Sequence, residues 1–452
     1  MIHIAMNRRI VTRAALSVGL MVGWLAFCWW VGPWWQTQRH RERGRELLRL
    51  HRSAAALGEL REALRYNPHD AETTFLLSRA HRHQGDLERA DWLLTQAERL
   101  GLDPRRTQRE RWLLQAQSGD LQAAEPHLAE LLIDQEGDAL ETCQAYVLGY
   151  FANLRFDDAR RLLDTWRQDH PQDAQVHYLQ GYVSQAMAHF PEAAEAYQRA
   201  VELQPDRDEL RCRLAEVLME LGKYDEAAEV LEVARRSGTA GYDAALLWAD
   251  CAYRQGRVAE ARGELESLLS RGLDGFAVRS LLGEICLAEG NFAEALPHLQ
   301  RAAAERPFDV TVRNALAQAL RGLGRGDEAR PHAEYVAQAE PHLRRLEQLI
   351  RAAVEQPGDT KIRLEIAAIL LQYGDPNDAS RWLRSALQLN PQEPTAHALL
   401  AAYYRAAGDL LQARRHDREA TSAARSEPSR SAAKNEPSAP PIDDARQEAG
   451  TP

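Results

Sequence analysis

The run Gly322-Leu323-Gly324-Arg325-Gly326 is the first place to look for chemistry, because the backbone N–H groups of a glycine-rich loop can cradle phosphate. That chemistry needs a strand before the loop and a helix after it. Here helical patterns lie on both sides, so the run reads as a turn. His81 and His83 flank Arg82 on a helical pattern. Residues two apart point to different helix faces and cannot share a metal ion. The five cysteines, Cys28, Cys143, Cys212, Cys251 and Cys286, contain no C-x-x-C pair, so redox and zinc motifs are absent from the sequence. The last four read as small buried hydrophobes. The expectation is no catalytic residue, no cofactor, no metal site and no enzyme.

What the chain does carry is a beat. Gly222, Gly256, Gly290 and Gly324 recur every 34 residues, and Ala227, Ala261, Ala295 and Ala329 follow each by five. Pro307 and Pro341 close two of these units. A fixed period of this length signals a stack of two-helix units rather than one globular core. In the clearest unit, Ala174–Arg207, Gly181 allows a partner helix to approach, and Ala193 and Ala200 are small positions on one face of the second helix. Tyr197 fills the gap between helices, and Pro205 blocks continuation.

Leu179, Gly181, Ala193, Tyr197, Ala200 and Pro205 stand at the signature places of the tetratricopeptide repeat, and the chain closely resembles that family. The resemblance implies an all-α fold, a right-handed α-solenoid of about eleven helix pairs. An array over residues 37–343 and further repeats over 360–424 are expected, separated by an inserted helix or degenerate repeat at 344–359. Leu346, Leu349, Ile350 and Ala353 are spaced for one apolar face of that insert, where a kink or sub-domain boundary is expected. A single extra residue, Ala139, shifts the phase earlier.

In such stacks the first helices line a concave groove where ligands lie; this is what the resemblance implies. Read at the repeat's phase, the lining is basic at Arg41, Arg45, Arg49, Arg79, Arg82 and His83. It becomes aromatic and apolar at Phe151, Tyr178 and Tyr182, then acidic at Glu216, Glu220 and Asp250, with Tyr253 among them. Tyrosines are good anchors, and carboxylates select basic partners. The lysines and asparagines that chaperone-binding members use to grip a terminal carboxylate are missing from the matching places.

The amino end differs. After a short basic tail, residues 1–13, the segment Ala14–Trp35 is apolar, uncharged and of membrane-spanning length. Trp29, Trp30, Trp34 and Trp35 suit an interfacial belt, and no small-x-small cleavage site follows, so an uncleaved signal anchor is expected. Arg39, Arg41, Arg43 and Arg45 beyond it are candidates for contact with lipid head groups. A short basic tail before a single anchor points to repeats outside the cytoplasm. Residues 425–452, rich in Ser, Pro, Ala and charge, read as a disordered tail. The net charge of −10 argues against nucleic-acid binding. The expected function is a membrane-anchored scaffold that binds a protein or peptide partner, with no small-molecule substrate. The alternatives are an envelope-assembly regulator or adaptor, and an accessory subunit of an enzyme complex.

Overall fold

The computed structural model describes residues 32–133, 139–237 and 241–434. Every regular element among them is helical, in consecutive antiparallel pairs such as Ala71–His83 with Leu87–Arg99, Ala174–Ala186 with Phe190–Leu203, and Phe276–Ala288 with Phe292–Glu305. Aspartates start many of the helices: Asp70, Asp103 and Asp173 before first helices and Asp86 and Asp120 before second helices each accept a backbone N–H of the opening turn. Each such cap stabilises its helix by about 1 kcal/mol.

In nine successive pairs the turn has one conformation, whereas in the pair Thr360–Tyr373 with Pro376–Leu389 the turn residue Gly374 is extended, with φ −135°. His51, Gly85, Gly119, Leu154, Ala188, Gly222, Gly256, Gly290 and Gly324 all have positive φ. Their spacing is 34 residues throughout except for 35 between Gly119 and Leu154, the interval that contains Ala139. Close helix contact sits at the small positions. Ala193, Ala200, Ala295 and Ala302 are completely buried. A Cβ on Gly149 would lie 2.0 Å from the carbonyl oxygen of Ala116, so only glycine permits that approach.

The chain divides into two compact units, Met1–Glu305 with Gln318–Gly326, and Arg306–Ala317 with Asp327–Pro452. In the second unit, residues 344–355 do not form a separate element. They continue the helix Gly326–Glu355, which runs 30 residues through Pro331 and Pro341 and stops before Pro357 and Gly358. Ala339, Leu349 and Ala353 bury one face of it, whereas Ile350 is 42% exposed, outside the apolar face expected for it. The division between compact units falls earlier, within the helix Val310–Gly322. The last helix, Leu410–Lys434, extends ten residues into the segment expected to be disordered. The basic tail, most of the apolar segment 14–35, and residues 435–452 lie outside the described residues.

In the first unit, an ionic cluster replaces part of the apolar core. Arg82 is fully buried and donates through Nε to Glu110 at 2.6 Å and through Nη2 to Glu141 at 2.6 Å. Arg79 meets the other oxygen of Glu141 at 2.5 Å, and His83 Nε2 lies 2.6 Å from Glu141 Oε2. Gln117 donates to the Arg82 carbonyl at 2.7 Å. These groups join three successive first helices, Ala71–His83, Pro104–Ser118 and Ala139–Ala152. Burial alone would raise the Glu141 carboxyl, but Arg79, His83 and Arg82 outweigh it and hold it well below the usual range. The open basic lining expected at Arg79, Arg82 and His83 is therefore closed and neutralised.

His51 stacks on His83 with ring centroids 6.2 Å apart. Its Nδ1 is buried without a hydrogen-bond partner. Burial, reinforced by His83, lowers its pKa to about 3. Beside it, Arg52 pairs with Asp206 and donates to the Asp206 carbonyl at 3.2 Å.

Three outcomes are expected. Ala295→Leu overpacks a closed contact and costs ~1–3 kcal/mol; an unchanged melting curve would place Ala295 elsewhere. Glu141→Leu removes one of the two carboxylates that pair buried Arg82, together with the close partner of Arg79, and lowers stability by ~3 kcal/mol, read from the denaturation midpoint. His51 stays neutral when folded, whereas in the unfolded chain it takes up a proton near its ordinary value. Its stabilising contribution is complete above about pH 6.5 and is lost as pH falls toward about 3, at up to ~1.4 kcal/mol per pH unit. His51→Asn, which tolerates positive φ, flattens the stability profile between pH 7 and 4. An equally steep profile in that variant would assign the slope to other groups.

Candidate interaction surface

Phe151, at the end of the helix Ala139–Ala152, meets Tyr182 of the helix Ala174–Ala186 with ring centroids 4.4 Å apart. One turn back from Tyr182, Tyr178 contacts Tyr197 at 6.0 Å, and the Arg207 guanidinium lies 5.2 Å from the Tyr178 ring centroid. Phe151, Tyr178 and Tyr182 are all half-buried, each offering part of a ring to solvent. Burial raises the Tyr178 hydroxyl, and Glu209 adds to it. The structure thus brings the three expected aromatic anchors into one row across two adjacent first helices.

The carboxylates are placed differently from one another. Glu216, on the helix Asp208–Glu220, is 2.9 Å from Arg213, and Asp250 is 3.0 Å from Arg254. Both pairs are half-exposed, and i,i+3 or i,i+4 pairs of this kind add little net stability. Glu220 is exposed and has no ion pair among the described residues. Tyr253 is half-buried on the next first helix, Gly241–Arg254. Burial raises its hydroxyl, with the carboxylates of Glu284 and Asp250 contributing.

Arg213 was not singled out by the reading of the sequence. Burial opposes its charge, but Glu216 and Tyr178 hold its pKa above the ordinary value, so a fixed cation sits between the aromatic row and the carboxylates. It stands one turn before Val217 on its helix, at a place not among the lining residues expected from the repeat's phase. The surface is therefore mixed in charge rather than uniformly acidic.

At the amino end, the four candidate membrane-facing arginines separate into two kinds. Arg41 binds Asp70 at 3.1 Å, and Arg45 binds Glu42 at 2.6 Å and Glu72 at 3.0 Å. Arg39 and Arg43 are exposed, with the Arg39 guanidinium 5.5 Å from the Trp35 ring centroid. The helix over residues 32–49 holds all four. Among the described residues no helix is long and apolar enough to cross a membrane.

The chain is similar to several solved helical structures. The human IFIT1 dimer with m7Gppp-AAAA shares 14% identity over 78% of this chain and 90% of that chain, with a TM-score of 0.42. PilW, a widely conserved type IV pilus biogenesis factor, shares 17% identity over 44% and 91%, with a TM-score of 0.40. MamA shares 17% identity over 36% and 90%, with a TM-score of 0.32. These likenesses are too distant to assign a ligand. Comparison with curated proteins gives no match. Family models described as tetratricopeptide repeat match residues 41–100 and 246–310 in one form, and residues 115–181, 186–240, 287–341 and 333–403 in another. The second form alone spans more than half of the sequence, and this chain belongs to the tetratricopeptide repeat family.

Proposed function

We propose that the chain is a membrane-anchored scaffold, a right-handed α-solenoid of about eleven helix pairs that holds a protein or peptide partner along its first helices. Tetratricopeptide repeats imply a protein-interaction scaffold, and nothing among the described residues points to catalysis. The observation that carries the reading is the row Phe151–Tyr182–Tyr178, whose rings are held by neighbours yet half open, with Arg213 beside it and exposed Glu220 at the end of the same helix as Arg213. Rigid aromatics lose little entropy on binding and anchor an interface well, while flanking charges of both signs set register.

The apolar segment Ala14–Trp35 supplies the tether. Trp34 and Trp35 are 60% and 51% exposed where the first helix begins, beside exposed Arg39 and Arg43, an arrangement that suits the membrane–water boundary. The short basic tail stays in the cytoplasm and the repeats lie on the other side.

Tyr182→Ala combined with Glu220→Lys tests the surface. In proximity labelling with the full chain, this variant loses the partners that the parent protein labels and still melts as a cooperatively folded protein. Retention of the same set would place the binding surface elsewhere. Glu220 is preferred to Glu216 because Glu216 already faces Arg213.

A further inference from the structure

The polar side chain at the fourth place of several first helices binds the carbonyl of a proline six residues earlier. His177 Nε2 lies 3.1 Å from the Pro171 oxygen, and Arg313 and Arg363 donate to the carbonyls of Pro307 and Pro357. His397 repeats the bond, with Nε2 3.1 Å from the Pro391 oxygen. A carbonyl only accepts, so Nε2 of His397 carries a proton, and in the neutral ring Nδ1 holds the lone pair.

That lone pair faces two further donor atoms. His416 Nδ1 is 2.9 Å away and Glu419 Oε2 is 3.2 Å away, and the last two are 3.6 Å from each other. His397 lies on the helix Pro394–Ala406, whereas His416 and Glu419 lie three apart on the helix Leu410–Lys434. Tyr404 stacks on His416 at 5.6 Å with an interplanar angle of 6°, and Arg415 holds the other Glu419 oxygen at 3.2 Å. The donors are thus oriented from outside, as the ligands of a metal are by their outer hydrogen bonds. Bonds of 2.0–2.1 Å to a tetrahedral zinc ion put its ligand atoms ~3.3 Å apart. The three separations here bracket that value. Two imidazoles and one carboxylate suit zinc or a neighbouring divalent transition metal, whereas calcium requires a shell of oxygens.

We infer that His397, His416 and Glu419 form a site for a divalent transition metal, zinc above all, that fastens the last two helices together and leaves a fourth coordination position open. This runs against the expectation of no metal site.

Full-length protein stripped with a chelator and titrated with zinc chloride tests the site. Calorimetry is expected to give one zinc per chain, and cobalt(II) in its place should develop the strong visible absorption of a tetrahedral complex. His416→Ala and Glu419→Gln, both on the outer helix, should each weaken that binding by more than about tenfold, since even outer-shell changes cost that much. Zinc should raise the melting temperature of the parent protein but not of these variants. Absence of binding in the parent protein overturns the proposal. So does equal binding in parent and variants, which would place the ion elsewhere among the 15 histidines.

Discussion

The first nine helix pairs depend on a left-handed chain reversal between their two helices. The first and second helices of a pair lie close enough for Ala193 or Ala295 to be completely enclosed. The residue at the turn therefore takes positive φ at nine successive places, from His51 to Gly324. Glycine occupies six of them without strain. His51, Leu154 and Ala188 adopt the same backbone at a cost of roughly 1–2 kcal/mol each. That three side chains tolerate it shows how firmly the packed helices dictate the turn.

Between neighbouring pairs the constraint changes character. Arg82 crosses from one first helix toward carboxylates on the next two, where most interfaces of the array are apolar. Buried ion pairs add little net stability compared with apolar packing but penalise misalignment severely. Glu110, Glu141, Arg79 and Arg82 fix the register of three helices that would otherwise present similar Leu- and Ala-rich faces.

The repeat was legible because its determinants are local: a small residue, a turn glycine and a proline at fixed offsets. The phase slip at Ala139 was visible for the same reason. The ionic cluster was harder to see. Glu141 lies near the start of a first helix and could have been matched to Arg79 and Arg82 two repeats earlier. The phase slip after Leu343 marked residues 344–359 as an insert, and the structure carries residues 344–355 on the helix Gly326–Glu355, through Pro341, with Ala339, Leu349 and Ala353 buried. Arg213 escaped because its effect depends on Tyr178 in the preceding repeat, which spacing within one repeat does not reveal. His416 and Glu419 share a helix face, but their link to His397 passes through the carbonyl of Pro391, a backbone atom no residue pattern displays.

Arg52 reaches Asp206 across 154 residues of chain, with His51 wedged beside it against His83. Repeats joined only to their neighbours behave like links in series, each bearing whatever tension the end receives. A cross-tie between the first helix pair and the turn before Asp208 adds a parallel path. Tension entering near residue 32 is shared between the intervening helix pairs and this tie, and the exposed Arg52–Asp206 pair is the weaker strand. The opening portion of the array is thus joined across its length by one surface contact, the first to part under load because it is an exposed ion pair.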